Sequence, residues 1–306
     1  MRALLLKRRS VIFAVAFFFG LSIANAQIVP IREVFEPNPN HFPKASWAKV
    51  AVIQWAPKRD TPIHVDKAQA EQFKQYLRQD LSKYVREAAL HGATLIVSPE
   101  FATVGYPSSN TMKLRSDEFR NRSEIEPYVE KSQGATFQYF SKLAKELSVY
   151  LHIGYAEVAD DNQYYNGVLA IGPSGELIAK HRKINLFGGE SAFLSAGKDL
   201  VTYESPFGRV ALAICADIYD SRVMEGYKRR KVDVHSISAS WTAFNSAMGS
   251  FINAAIWLKA FALGSNHFYF PDSGVVSPDG KTQSHIRQSM GVAYGYVRLK
   301  GHHSSR

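Results

Sequence analysis

The sequence predicts an α/β fold in one large domain at residues 47–300. Short apolar runs that are typical of buried strands alternate with longer segments whose apolar residues recur at helical spacing. Turns that contain glycine and proline, at residues 172–175 and 277–280, indicate hairpins inserted among the strand–helix units. Because no internal repeat and no interdomain linker interrupts this pattern, we assign a single domain.

The first 26 residues have the pattern of a secretory signal peptide. An apolar run at 11–24 ends in the small-x-small sequence Ala24-Asn25-Ala26, and it follows four cations, Arg2, Lys7, Arg8 and Arg9. The run is shorter than the ~18 residues of a membrane span. We therefore expect cleavage after Ala26 and export to the periplasm or the medium. A segment retained as an anchor is the alternative.

Charge gives no sign of a nucleic-acid partner. Loss of residues 1–26 removes four cations and no acid, which lowers the formal net charge from +10 to +6. The one remaining basic cluster, Lys228-Arg229-Arg230-Lys231, follows a segment with helical spacing. Cations at the end of a helix complement the helix dipole, so this cluster is expected to be a solvated helix end.

The first half of the domain alternates strands with helices. A Pro- and Asn-rich arm at 27–46 leads into a strand at 48–55. Apolar residues at helical spacing then predict a long amphipathic helix over 64–91, which Gly92 ends. Next come a strand at 93–97, loops or short helices at 108–128, a helix at 136–147, and strands at 149–157, 165–171 and 176–181.

The second half repeats the alternation with shorter elements. Strands at 200–204 and 209–214 form a predicted hairpin. The remaining predicted elements are helices at 219–230 and 250–263, strands at 232–237, 267–270, 274–276 and 291–299, and a polar tail at 301–306.

Cys215, at the end of the predicted strand 209–214, is the only cysteine. A free cysteine is often a small buried hydrophobe. Exported proteins, however, usually use their cysteines in disulfides, and a lone thiol cannot form one within the chain. Cys215 is therefore a candidate reactive thiol, with an intermolecular bridge as the alternative.

Two further apolar strands end in a residue that can assist a thiol. Glu100 follows the strand at 93–97, and Lys183 follows the strand at 176–181. A carboxylate close to a thiol can take its proton, and a cation can stabilise the negative charge that develops on attack. The spacing of the three residues does not by itself establish that they meet.

These three segments, in this order, resemble the nitrilase superfamily of carbon–nitrogen hydrolases. Residues 97–101 with the following Gly105-Tyr106 are similar to the family's Pro-Glu…Gly-Tyr segment. Residues 181–187 are similar to its Arg-Lys-x-x-Leu-Phe segment, and residues 214–218 to its Cys-x-Asp segment. The resemblance covers residues 47–299. It implies an α-β-β-α sandwich, catalysis without a cofactor, and assembly into dimers or larger homo-oligomers.

The resemblance also implies roles for individual residues. Cys215 would be the nucleophile, Glu100 the general base, and Lys183 with the backbone N–H after Cys215 the oxyanion clamp. Glu190 would be a second glutamate that orients Lys183 and substrate; a solvated loop acid is the alternative. Tyr106, Trp241 and Phe244 are expected to line the substrate pocket, with plain core packing as the alternative.

The sequence favours a small amide or carbamoyl compound as substrate. Enzymes of the family that act on nitriles typically follow the cysteine with Trp-Glu, whereas this chain has Ala216-Asp217. Nitrile hydrolysis, acyl transfer to an amine and an inactive binding protein on the same scaffold remain alternatives. None of the ten histidines forms a His-x-His or His-Glu-x-x-His pattern, so no metal site is expected.

Overall fold

The computed structural model describes residues 37–107, 119–241, 247–268, 272–287 and 289–300. The predicted signal segment at 1–26 and the tail at 301–306 lie outside these ranges. The strands of the described part are β1 (Trp47–Gln54), β2 (Leu95–Val97), β3 (Tyr150–Val158), β4 (Tyr164–Ile171), β5 (Leu177–Arg182), β6 (Thr202–Ser205), β7 (Gly208–Ile214), β8 (Val234–Ala239), β9 (Phe261–Asn266), β10 (Ser273–Val276), β11 (Thr282–Ile286) and β12 (Gly291–Arg298). The helices are α1 (Lys67–Leu90), α2 (Arg122–Ile125), α3 (Ala135–Leu147), α4 (Ser221–Arg229) and α5 (Ala247–Leu258).

The strands form two six-stranded sheets. The first sheet has the order β12-β1-β2-β3-β4-β5, and the second has the order β11-β10-β9-β8-β7-β6. Strands β1, β2 and β3 are parallel, as are β7, β8 and β9. Strand β4 is antiparallel to both β3 and β5, so β5 runs in the same direction as β3 and therefore as β2. The residues that follow β2 and β5 therefore lie at the same edge of the first sheet.

The two sheets pack face to face and carry helices on their outer faces. Alternation along β1 shows the layering, because successive side chains of a strand point to opposite faces. Val50 and Val52 pack between the sheets against residues of the second sheet such as Leu212. Ala51 and Ile53 pack on the outer face with α1 and α3. Helices α4 and α5 cover the second sheet in the same way.

The long helix α1 illustrates how the local sequence sets an element's ends. Asp66 caps its N-terminus by accepting a hydrogen bond from the backbone N–H of Gln69, whose side chain accepts one in return from the backbone N–H of Asp66. At the other end Gly92 has a φ of 84°, a conformation that favours glycine. The helix therefore begins three residues later than the apolar spacing predicts.

The predicted helix at 250–263 is wrong in its last part. Helix α5 ends at Leu258, and Lys259 takes a φ of 53° that breaks the helical path. After Ala260 the chain forms β9, which lies between β8 and β10 and whose six residues are all buried. An apolar run that is buried on both faces carries no period of two, so the pattern could not separate it from a helix.

One predicted strand and the start of one predicted helix need correction, and one strand was not predicted. The predicted strand 267–270 is wrong in its first half, because His267 makes only an isolated bridge to Trp55 and Phe268 lies in a turn. The second half, 269–270, lies outside the described residues. Strand β11 is polar and partly exposed, and it gave no apolar signal. The predicted helix at 219–230 begins at Ser221, because residues Cys215–Tyr219 form a 3-10 helix and Asp220 caps α4.

Candidate active site

The site lies where four strands of the two sheets end. Glu100 comes three residues after β2, and Lys183 directly follows β5. From the second sheet, Cys215 directly follows β7, and Ser240 directly follows β8. All four residues line one pocket. Parallel strands with a common direction present their carboxyl ends at one edge, and the structure thereby brings together the three residues that the sequence singled out.

Lys183 is held between two carboxylates inside the protein. Its Nζ lies 2.8 Å from Oε1 of Glu100 and 2.7 Å from Oε2 of Glu190. All three residues are at most 5% exposed. Charges this deeply buried are tolerated only when they are paired and hydrogen-bonded. The solvated alternative for Glu190 is therefore wrong, and the residue belongs to the same buried cluster as Lys183.

Asn166 of β4 joins the two carboxylates directly. Its Nδ2 donates to Oε1 of Glu100 at 2.6 Å and to Oε1 of Glu190 at 3.1 Å. Its backbone carbonyl accepts the N–H of Lys183 at 2.8 Å. Asn166 thus contacts both carboxylates through its side chain and the backbone of Lys183 through its own carbonyl. Asn166 is not among the residues predicted from the sequence, where its one signal is a polar side chain within a largely apolar strand.

Glu100 is fixed by backbone contacts as well. Its Oε2 accepts the N–H of Ser240 at 2.8 Å. Gly154 of β3 packs against the turn that carries Glu100, and a Cβ at this glycine would lie 2.4 Å from the carbonyl oxygen of Pro99. Burial, with a smaller contribution from neighbouring Glu190, raises the pKa of Glu100 even though Lys183 acts in the opposite direction. A carboxylate with a raised pKa is a better proton acceptor.

Cys215 stands at a strained turn. It has a φ of 44° and begins the 3-10 helix Cys215–Tyr219. A non-glycine residue in this left-handed region costs roughly 1–2 kcal/mol and persists only where the surroundings hold it. The residue is 8% exposed, and burial raises the pKa of its thiol well above the usual value, with a further increase from the charge of Glu100. The resting thiol is therefore protonated.

Lys183 keeps its charge despite burial. Desolvation alone would lower its pKa, but the carboxylates of Glu100 and Glu190 outweigh that effect and raise it well above the usual value. One pocket is thus lined by a thiol with a raised pKa, an ammonium with a raised pKa and a carboxylate of increased basicity.

Aromatic side chains form the rest of the pocket lining. Tyr106 lies there as the sequence predicts, and the other aromatic lining residues are Phe101, Phe119, Phe187 and Phe193. Trp241 does not line this pocket. It is buried, and its ring packs 5.0 Å from the ring of Tyr219. Phe244 lies outside the described residues.

Within the described ranges, no group of three or more His, Cys, Asp or Glu side chains is arranged to hold a metal ion. No helix in the same part of the chain is long and apolar enough to cross a membrane. A larger cavity of about 570 Å³, lined by Phe42, Trp47 and Phe207 among others, contains none of the charged residues described above.

A family model described as carbon-nitrogen hydrolase matches residues 49–303. The chain belongs to the carbon–nitrogen hydrolase family. The resemblance to the nitrilase superfamily that the three segments indicated is thereby confirmed. The match extends over nearly all of the predicted domain.

The curated relatives of this carbon–nitrogen hydrolase include omega-amidases. Omega-amidase NIT2 of Homo sapiens is 33% identical over 156 residues, which cover 48% of this chain and 51% of that protein. Omega-amidase NIT2 of Danio rerio is 30% identical over 191 residues, 60% of this chain and 59% of that protein. The matches span about half the length of these relatives, so their activity is not transferred to this chain by likeness alone.

Solved structures share the fold over a longer stretch. Nit3 of Saccharomyces cerevisiae, described as a member of branch 10 of the nitrilase superfamily, superposes with a TM-score of 0.65 at 20% identity. The superposed region covers 83% of this chain and 90% of the Nit3 chain. An amidase from Nesterenkonia sp. gives a TM-score of 0.64 at 17% identity, covering 82% and 90%. The predicted α-β-β-α sandwich is confirmed.

Proposed function

We propose that this carbon–nitrogen hydrolase cleaves a small amide or carbamoyl compound through a thioester on Cys215. The observation that carries the proposal is the buried Lys183 between Glu100 and Glu190, in a pocket that Cys215 also lines. A cation and a basic carboxylate beside a thiol are the groups that nucleophilic attack on a carbonyl carbon requires.

Attack begins with a proton transfer from Cys215 to Glu100. The sulfur then forms a bond with the carbonyl carbon, and the π electron pair of the carbonyl moves onto oxygen. An ammonium has three N–H donors, and Glu100 and Glu190 take two of those on Lys183. The third N–H of Lys183 and the backbone N–H that follows Cys215 donate to the new oxyanion.

Collapse of this intermediate restores the carbonyl and breaks the carbon–nitrogen bond. Glu100 gives its proton to the departing nitrogen, and an amine or ammonia leaves a thioester behind. Glu100 then takes a proton from water while the water oxygen attacks the thioester carbon. The carbon–sulfur bond breaks, the proton returns to sulfur, and a carboxylic acid is released.

The pocket supports an uncharged acyl group as the substrate. Of its ten described lining residues, five are aromatic, two are carboxylates, and one is a cation already paired with both carboxylates. An anionic acyl group would meet the excess negative charge of this cluster in a poorly solvated space. An amide is favoured over a nitrile by Ala216 after the nucleophile and by the omega-amidase name of the curated relatives.

The test is a release assay over matched compounds. Ammonia release is measured with butyramide, benzamide, their nitriles, and the carboxylate-bearing succinamate and 4-carbamoylbenzoate. We expect turnover of the uncharged amides and its loss in the Cys215→Ser variant. Full turnover by that variant, or hydrolysis confined to nitriles, would overturn the proposal.

Export and assembly are proposed on the sequence alone. We propose that cleavage after Ala26 releases the protein outside the cytoplasm; N-terminal sequencing of the mature protein tests this, and a start at Met1 would refute it. We also propose a homo-oligomer that acts on a small molecule and binds no nucleic acid. Light scattering on the purified protein tests the assembly, and a monomer at all concentrations would refute it.

A further inference from the structure

Asp217 lies two residues after Cys215 and is completely buried. Its Oδ1 accepts the backbone N–H groups of Ile184 and Asn185, both at 2.8 Å. Its Oδ2 accepts the backbone N–H of Ile214 at 2.9 Å and Nε2 of His181 at 2.8 Å. One carboxylate therefore receives four N–H donors, which is about the full accepting capacity of its two oxygens.

These donors come from two separate segments of the site. Ile214 directly precedes Cys215, while Ile184 and Asn185 directly follow Lys183. The side chain of Asn185 adds a second link in the same place, since its Nδ2 donates to the carbonyl of Ala216 at 2.8 Å. Asp217 thus ties the turn that carries the thiol to the loop that carries the ammonium.

His181 extends the link into the sheet. It lies on β5, two residues before Lys183, and is completely buried. Its Nε2 contacts Asp217, whereas its Nδ1 has no hydrogen-bond partner among the described residues. A neutral imidazole with its proton on Nε2 satisfies this arrangement. Although burial alone would raise the pKa of Asp217, the His181 contact and the backbone donors lower it overall, so the carboxylate is ionised at neutral pH.

Asp217 cannot act on substrate itself. It is absent from the residues that line the pocket, it has no exposed surface, and its oxygens are occupied by N–H donors. It instead contacts the backbone next to Cys215 and next to Lys183, and the reaction depends on the separation of these two residues. The left-handed conformation of Cys215 requires an outside restraint, and the bond from Ile214 to Asp217 spans that residue.

We propose that Asp217, with His181 as its side-chain partner, is a positioning residue that sets the thiol of Cys215 against the ammonium of Lys183. The inference rests on the proposed function, but it makes a claim of its own: the reactivity of the thiol depends on this carboxylate even before any amide is turned over. A displacement of about 1 Å between reacting groups can cost about 100-fold in rate.

The experiment uses the single cysteine of the chain. Iodoacetamide alkylates a thiol as carbon–sulfur bond formation displaces iodide, and the mass increase reports on Cys215 alone. The rate is measured for wild type and for Asp217→Asn, which keeps the shape but turns one acceptor into a donor facing N–H groups. We expect alkylation and kcat to fall together by about 100-fold, with KM within about threefold.

A pair of variants at His181 covers the case in which Asp217→Asn fails to fold. His181→Gln retains a donor close to the position of Nε2, and His181→Leu removes it. We expect the Gln variant to keep the alkylation rate within about threefold of wild type and the Leu variant to lose about tenfold. A merely structural role would not separate the two by reactivity.

His152 supplies the matched control for loss of a buried histidine. It is equally buried, lies in the middle of β3 and hydrogen-bonds Ser236 and Tyr203, both at 2.7 Å. His152→Leu is expected to lower the melting temperature but leave alkylation unchanged. If Asp217→Asn or His181→Leu melts earlier yet alkylates at the wild-type rate, the proposal is overturned. If no amide is hydrolysed but alkylation still depends on Asp217, the proposed function fails and the positioning role stands.

Discussion

Two charged clusters, one formed by residues of β5 and one by the residue that follows it, show how burial and partner charges together decide what a buried glutamate can do. At the end of β5, Lys183 is shared by Glu100 and Glu190. On the other face of that strand, Glu157 alone receives Lys180 and Arg182, the latter through two bonds of 2.8 and 2.9 Å. Both Glu100 and Glu157 are 2% exposed.

The pKa shifts of these two glutamates have opposite signs. For Glu157, burial raises the pKa, but bonds from Arg182 and Lys180 outweigh it and the net shift is downward. For Glu100, burial and the charge of Glu190 outweigh the single cation, and the net shift is upward. Two cations make a carboxylate a fixed anion, whereas one cation shared with a second carboxylate leaves it ready to take a proton.

The largest expected effect separates Glu100 from Glu157. We expect Glu100→Gln to lower kcat by at least about 1,000-fold because it removes the proposed base. Glu157→Gln should keep kcat within about twofold while lowering the free energy of unfolding by about 1–3 kcal/mol, because charged hydrogen bonds to Arg182 and Lys180 are lost. Steady-state kinetics and urea unfolding measure the two effects. Equal losses of kcat in Glu100→Gln and Glu157→Gln would contradict the different roles of the two glutamates.

Glu190→Gln is expected to have the next largest effect, about 100-fold on kcat, since Lys183 loses one of its two carboxylates. The charge of Glu190 raises the pKa of Glu100, so its removal should lower that pKa. A base must be deprotonated to act, and the acidic limb of the kcat/KM profile should therefore move to lower pH. An acidic limb that stays in place or moves to higher pH would contradict the effect of Glu190 on the pKa of Glu100. Glu157→Gln is the control and should leave the position of this limb unchanged.

The smallest effect in this series tests the support behind Glu100. Gly154→Ala would place a Cβ 2.4 Å from the carbonyl oxygen of Pro99 and 2.8 Å from the backbone nitrogen of Phe101, so the turn that holds Glu100 must shift. We expect kcat to fall about tenfold.

Gly249 of α5 offers the matched control for that substitution, because no atom of the described residues lies within 4 Å of a Cβ placed there. Gly249→Ala should leave kcat unchanged and stabilise the helix by about 0.5–1 kcal/mol. Equal kinetics for the two alanine variants would show that the Glu100 turn tolerates displacement.

The residues at the strand ends of the charged cluster could be predicted from the sequence, whereas their contacts with Asn166 and Ser240 could not. Glu100, Lys183 and Cys215 each follow an apolar run, and the family resemblance ordered them. Asn166 and Ser240 reach the cluster from β4 and β8, and no local pattern tells which side chain or N–H of a distant strand meets a given carboxylate. Periodicity indicates which face of a strand is buried, but it does not identify the distant strand that lies beside it.

The boundary between α5 and β9 shows a different limit. Both segments are largely apolar, and β9 is buried on both faces, so neither helical spacing nor alternation marks the change at Lys259. The role of Asp217 also could not be predicted from the sequence, where it is one acid among several in a polar segment. Its role follows from the four N–H donors that the fold brings to its carboxylate.

The measurement that tests the central claim most directly is the intact mass of the protein during turnover of benzamide under rapid acid quench. We expect a species heavier by one benzoyl group that peptide mapping places on Cys215, that decays as benzoic acid forms, and that is absent from Cys215→Ser. Turnover at an unchanged rate with no adduct on Cys215 at any quench time would contradict the thioester mechanism.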